Sequence, residues 1–361
     1  MATSDIDGYW TQRAAAPSQQ QNVQVTIETV PNIVPLDDQF GVSSYKTVPD
    51  PLCHYLLGPS DAHDALMGTE TFALLDAAKV PALSEFLETS GLQHRCLFTG
   101  AAYDELKDVA PWLVRLEEGN SFSRNLFTRS NAPWHLWDSE PGLYLRSLGT
   151  LDQLWRHLRK FTRVQDEAGK WFYFRFWETD CLIDYIRYAN DREGGDLRFL
   201  FGFDPLNPSL SLVRAYVSAV RDRAQICTVS QITGHKTEAR TDIDMPVLRF
   251  LALRGHAHRF VESYFEGQGL NASAPQLHKA KNIAIQIAQK YHSFGFKSRY
   301  HLGSFIYWAL ALNADFETRT QVIKDQIQRT DADPNDRFVV IAREMRTLFG
   351  PKIRNYGGHG T

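Results

Sequence analysis

The chain of 361 residues is 43% hydrophobic and 12% aromatic, enough for two cores, and no apolar run approaches the ~18 residues a membrane helix needs. Its 39 Lys and Arg stand against 42 Asp and Glu, so the net charge of −3 excludes a global attraction to nucleic acid or anionic membrane. The four cysteines, Cys53, Cys96, Cys181 and Cys227, lie far apart, which argues against a disulfide framework and against the paired spacing of zinc or redox sites.

The first residues lack the basic start and apolar stretch of a secretory signal, which points to a cytoplasmic protein. Residues 1–41 are rich in Gln, Ser, Ala and Pro, with one short strand-like alternation at Val23–Val30, and are expected to form a flexible arm. The run from Thr71 to Ala78 has the pattern of a short buried strand. Pro81 then opens an amphipathic helix with Leu83, Phe86 and Leu87 on one face. His94–Phe98 predicts a second strand, Tyr103–Val109 a helix, and Pro111–Leu116 a third strand.

Gly142–Ser147 predicts a further strand, after which Thr150 and Gln153 form a capping box ahead of Leu151, Leu154, Trp155 and Leu158 on one helical face. Two β-like runs flank Glu167–Lys170, whose glycine marks a hairpin. A helix follows at about Glu178–Tyr188, and Leu197–Phe201 reads as one more strand. Beyond Asp244 the pattern is helical: Pro275–Phe294, stopped by Gly295, then Tyr300–Leu312, Phe316–Gln328 and Pro334–Phe349. The expected fold is therefore an α/β (α+β) N-terminal lobe with a mixed sheet flanked by helices, plus a mostly helical C-terminal lobe. The expected boundaries are an arm at 1–41, the α/β domain at 42–193, a connecting segment at 194–243, the helical lobe at 244–350 and a frayed tail at 351–361.

The chain holds no Walker-type phosphate loop, dinucleotide-binding glycine fingerprint, zinc-protease helix motif or nucleophile elbow, so these reaction classes lose their support. His256 and His258 form the one close histidine pair. They would share a side as metal ligands on a strand, but their flanks Leu248, Leu251, Leu253, Phe260 and Tyr264 favour a helix, with both on its surface. Asp76, at the end of the first strand, is expected to cap the turn before Pro81. The basic cluster Arg156, His157, Arg159, Lys160 and Arg163 is expected to be the solvated side of its helix.

The aromatic pattern is more informative. Alternation through Trp171–Trp177 puts Phe172, Phe174 and Phe176 on one face and Trp171, Tyr173, Arg175 and Trp177 on the other. Trp, Tyr and Arg concentrate binding energy at protein interfaces because each buries large area while keeping a polar end. The second set is thus a candidate binding face, against the alternative that helices cover both faces. Trp134 and Trp137, in a loop-like stretch, and Phe305 and Trp308, on a helix, are further candidates, with packing as their alternative role.

A family resemblance is carried by Leu74–Ala78, Ala110–Val114, the strand ending in Arg146–Ser147, the Leu154–Phe161 helix and the run Tyr173-Phe174-Arg175-Phe176. Spread in order from about Thr71 to Ile186, these residues closely resemble the adaptor or chaperone family encoded beside type VI secretion effectors, long catalogued only as a domain of unknown function. The resemblance implies a non-enzymatic protein without cofactor or metal, which binds the N-terminal region of a cognate toxin and promotes its loading onto the VgrG spike. It implies no direct nucleic-acid partner and no membrane insertion. The helical half resembles the variable C-terminal lobe of these adaptors, where client choice is expected. Trp177-Glu178 departs from the small or acidic residue that the family usually has after its Tyr-Phe-Arg-Phe strand. The competing functions are a metal-dependent enzyme built on His256 and His258, and a nucleic-acid-binding protein built on the Arg156–Arg163 cluster.

Overall fold

The structure, a computed structural model, describes residues 23–58, 68–190, 197–202, 211–232, 240–312, 316–329 and 331–350. The chain divides into two compact units, one formed by the described parts of 20–190 and 195–243, the other by those of 244–361.

The first unit is an α+β fold built on one seven-stranded sheet. Its strands are β1 (Val23–Val30), β2 (Glu70–Asp76), β3 (His94–Cys96), β4 (Pro111–Arg115), β5 (Gly142–Ser147), β8 (Val213–Val220) and β9 (Arg223–Ile232), in the order β1-β9-β8-β5-β2-β4-β3. A separate hairpin pairs β6 (Arg163–Gln165) with β7 (Trp171–Tyr173). The helices are α1 (Asp50–Leu56), α2 (Leu83–Ser90), α3 (Ala101–Leu106), α4 (Ser121–Asn125), α5 (Leu151–Leu158), α6 (Thr179–Asn190) and α7 (Arg198–Phe201).

Every pairing in the sheet is antiparallel, where alternating strands and helices had suggested a mixed sheet. The helix between β2 and β3 does return the chain in the same direction, but β4 inserts between these two strands and opposes both. Parallel strands are thereby separated. β2 is an interior strand, and Thr71–Asp76 are all buried, as expected of a near-continuous apolar run covered on both faces.

Successive side chains alternate between the faces of the sheet. Ala73, Leu75, Trp112, Val114, Tyr144 and Val217 join a core cluster with Ile33, Leu36, Leu52, Leu56, Leu87, Phe127 and Trp137. The stretch after β1 together with α1, α2, α4 and the loop following α4 thus covers one face. On the other face Tyr216 donates through its hydroxyl to Leu200 O at 2.7 Å and Ser218 to Thr179 O at 3.0 Å, which ties α6 and α7 there. Trp155 of α5 donates to Cys96 O at 2.6 Å. The capping box of Thr150 and Gln153 starts α5 as expected.

Three sequence expectations need correction. Residues 23–30 of the presumed arm form edge strand β1 against β9, and Ile33 and Leu36 are buried. Residues 1–22 lie outside the described residues. The presumed connecting segment contains the β8–β9 hairpin, which completes the sheet and turns through Arg221 at φ 57. The presumed strand Leu197–Phe201 is the short helix α7, ended by Gly202 in the left-handed region at φ 63. Five residues are too few to show a period, and the following glycine is the helix-stop signal that distinguishes them.

The helix α8 (Arg240–Gly267) leads into the second unit, which continues with α9 (Ala274–Ser293), α10 (Arg299–Ala311), α11 (Gln321–Gln328) and α12 (Pro334–Phe349). A capping box of Ser273 and Gln276 starts α9. Arg337 on α12 is buried and donates to Phe294 O at 3.1 Å, Gln326 O at 2.8 Å and Ile327 O at 2.7 Å, carbonyls at the C-terminal ends of α9 and α11. One guanidinium therefore satisfies acceptors that two helices leave open. The expected tail, 351–361, lies outside the described residues.

Candidate functional site

The β6–β7 hairpin is built from its turn outward. Asp166 accepts from Lys170 N through Oδ1 at 2.8 Å, and Gly169 takes φ 84. Gln165 Nε2 donates to Gly169 O at 2.8 Å. The register Arg163↔Tyr173, Val164↔Phe172 and Gln165↔Trp171 follows from this tip. Paired residues share a face, so Val164, which is buried, and Phe172, which is half-buried, turn inward. Arg163, Gln165, Trp171 and Tyr173 form the outer face.

Trp171 and Tyr173 are 51% and 46% exposed on that face. The Arg163 guanidinium lies over the Trp171 ring at 5.3 Å, and Tyr173 packs against Phe98 at 5.7 Å. Arg175 continues the surface. It donates from Nη2 to Asp76 Oδ2 at 3.0 Å and from Nε to Glu178 Oε1 at 2.9 Å. Asp76 also accepts from Ala78 N at 3.1 Å, so the expected capping role is present together with an ion pair that residue spacing does not reveal. Nearby, the guanidinium groups of Arg95, at 3.4 Å, and Arg159, at 4.4 Å, lie over the ring of the buried Trp155. Arg159 in turn donates to Thr99 Oγ1 at 3.0 Å. Trp171, Tyr173, Arg163 and Arg175 thus present aromatic and guanidinium surface on a braced scaffold.

The other candidates fall elsewhere. Trp177 is buried, because β7 ends at Tyr173 and the chain turns, bringing Trp177 edge-on to Phe98 at 6.2 Å. Trp137 is buried in the core cluster. Phe305 and Trp308 are interior residues of the helical unit, with Phe305 stacked on Tyr291 at 3.8 Å and Trp308 on Phe338 at 5.7 Å. A helix covered on all sides shows no polar stripe, so its aromatics belong to the core. Trp134 is 52% exposed but shares a recess with Tyr45, apart from the hairpin.

Of the basic cluster, Arg156, Arg159, Lys160 and Arg163 are exposed, as expected of a solvated side. Arg156 pairs with Asp152 at 2.8 Å, while His157 is half-buried, with its Nε2 3.2 Å from Leu200 O. Desolvation, the largest effect on His157, pushes its pKa down to about 4, with the neighbouring Lys160 charge acting the same way and hydrogen bonds to the Leu200 and Phe199 backbones opposing it. His256 and His258 lie on α8, where residues two apart diverge, and they are buried and half-buried rather than on the surface. Burial first, then the charges of Arg254, Lys281, His278 and Arg259, lowers the His258 pKa to about 3. Among the described residues, no group of three or more His, Cys, Asp or Glu side chains is placed to hold a metal ion. Ser130 Oγ and Asp38 Oδ1 approach the same nitrogen of His135, at 2.6 and 3.3 Å, whereas a catalytic relay uses opposite ring nitrogens.

Residues 71–194 match the family model described as a domain of unknown function (DUF4123). The matched span runs from β2 past α6 and contains the whole hairpin surface. No curated protein and no solved structure matches the chain. Among the described residues, no helix is long and apolar enough to cross a membrane.

Proposed function

We propose that this chain is a type VI secretion effector adaptor, which binds the N-terminal region of a cognate toxin and promotes its loading onto the VgrG spike without catalysing a reaction. The matched family is associated with type VI secretion. The observation that carries the proposal is the outer face of the β6–β7 hairpin within that span, where Trp171, Tyr173 and Arg175 stand exposed on a braced turn. Exposed Trp and Tyr held on an ordered element provide large contact area at small ordering cost, which suits recognition of an apolar client segment. Arg163 and Arg175 add the means to engage carboxylates or carbonyls at the rim.

The test is co-expression of the chain with the N-terminal segment of the toxin encoded beside it, with an unrelated toxin as control. Selective recovery of a stable complex is expected. Equal recovery of both toxins, or of neither, would overturn the proposal.

A further inference from the structure

A second aromatic surface lies on the sheet face opposite the hairpin. The hairpin is tied to the side of Asp76, Tyr216 and Ser218, whereas Leu36 and Val48, which bracket the second surface, pack with Ala73, Leu75 and Val114 on the other side. Its loop is closed by one side chain: Gln39 accepts from Lys46 N through Oε1 at 2.7 Å and donates from Nε2 to Lys46 O at 2.9 Å. Gln39 is buried, takes φ 48, and donates its backbone N–H to Asp37 Oδ1 at 2.8 Å. This staple holds a loop whose tip residue, Phe40, is 99% exposed, with Val42 also exposed beside it. A buried staple that displays a phenyl ring to water has no use in core packing.

Next to the loop, Tyr45 and Trp134, both about half exposed, line a recess of about 580 Å³ that Asp38, Arg124 and Asn125 also line. The Arg124 guanidinium lies over the Tyr45 ring at 4.7 Å and makes no ion pair among the described residues. Asp38, by contrast, is engaged with His135 at 3.3 Å. A guanidinium fixed on an aromatic face and left without a carboxylate is pre-organised to receive one.

We propose that this surface docks a segment of a second protein that carries a carboxylate between apolar side chains. The carboxylate pairs with Arg124, the apolar side chains pack on Tyr45 and Trp134, and Phe40 inserts into the partner. Because the hairpin lies on the opposite face of the same sheet, one partner does not obstruct the other. Resting on the adaptor role, the segment belongs to the secretion spike, held while the toxin occupies the hairpin.

The experiment titrates the full chain with two probes, the spike protein and the N-terminal toxin segment from the same gene cluster. Two surface variants, Phe40→Ala with Trp134→Ala and Arg124→Glu, are compared with the wild type, and thermal melts confirm that each remains folded. Both variants are expected to weaken spike binding about tenfold or more and to leave toxin binding unchanged. Spike binding unchanged in both variants, or a loss that falls on the toxin instead, would overturn this inference and leave the adaptor role standing. A wild-type chain that binds neither probe would overturn the adaptor role and the inference with it.

Discussion

Arg175 and Asp76, ninety-nine residues apart, form an ion pair at 3.0 Å that joins the end of the hairpin to the end of the interior strand β2. The Asp76 side chain is 1% exposed, whereas that of Arg175 is 44% exposed and is shared with Glu178. Loss of the guanidinium leaves a buried carboxylate that still accepts from the Ala78 N–H. Arg175→Ala is therefore expected to lower unfolding stability by ~1–2 kcal/mol, the exposed side of the pair holding the effect to that range. Asp76→Asn, which keeps an acceptor for Ala78, is expected to cost less. Urea denaturation of the two variants measures both effects.

Arg337 is the corresponding brace in the helical unit. Its three carbonyl partners lie at the ends of two helices, and its guanidinium also stands over Phe296 at 4.4 Å. Arg337→Ala uncaps both helix ends and opens a void, so a loss of ~3 kcal/mol or more is expected, with Arg337→Lys recovering only part of it. Circular dichroism melts would show the difference.

Acid should weaken both units. Burial lowers His157 and His301 to about 4, and the charge of Asp333 only partly opposes this at His301. In the unfolded chain an imidazole protonates near pH 6.5, as ordinary histidines do. Between about pH 6.5 and pH 4 the unfolded state thus binds more protons, and stability falls as pH falls through that window. His157→Phe is expected to flatten the dependence in the first unit, and His301→Phe, beside Phe338 at 4.3 Å, in the second. Stability measured at pH 7, 5.5 and 4.5 checks the sign, and a rise toward acid would contradict it.

Local signals in the sequence carried a large share of the fold. The capping box of Thr150, the Pro275 and Gly295 that bound α9, the glycine of the hairpin turn and the apolar run of β2 each act within a few residues, so their pattern survives in any context. Longer-range facts were not legible. The insertion of β4 between β2 and β3 depends on pairings that alternation does not specify, and the β8–β9 hairpin lacks a glycine at its turn, which Arg221 makes at φ 57. The candidate site divides for the same reason. Alternation distinguishes Phe174 from Tyr173 correctly, but it could not show that the chain turns before Trp177 or that α10 is covered all round. Nothing in the local pattern marks Phe40 as exposed, since only the Gln39–Lys46 staple places it.

The adaptor role is tested most directly by calorimetric titration of the toxin's N-terminal segment into the wild-type chain and into Trp171→Ala and Tyr173→Ala. Both residues are about half exposed, so the variants are expected to fold with unchanged melting profiles. The account predicts a loss of ~2 kcal/mol or more of binding free energy in at least one of them, the size expected of an interface anchor. Wild-type affinity in both folded variants would contradict the assignment of the hairpin as the client surface.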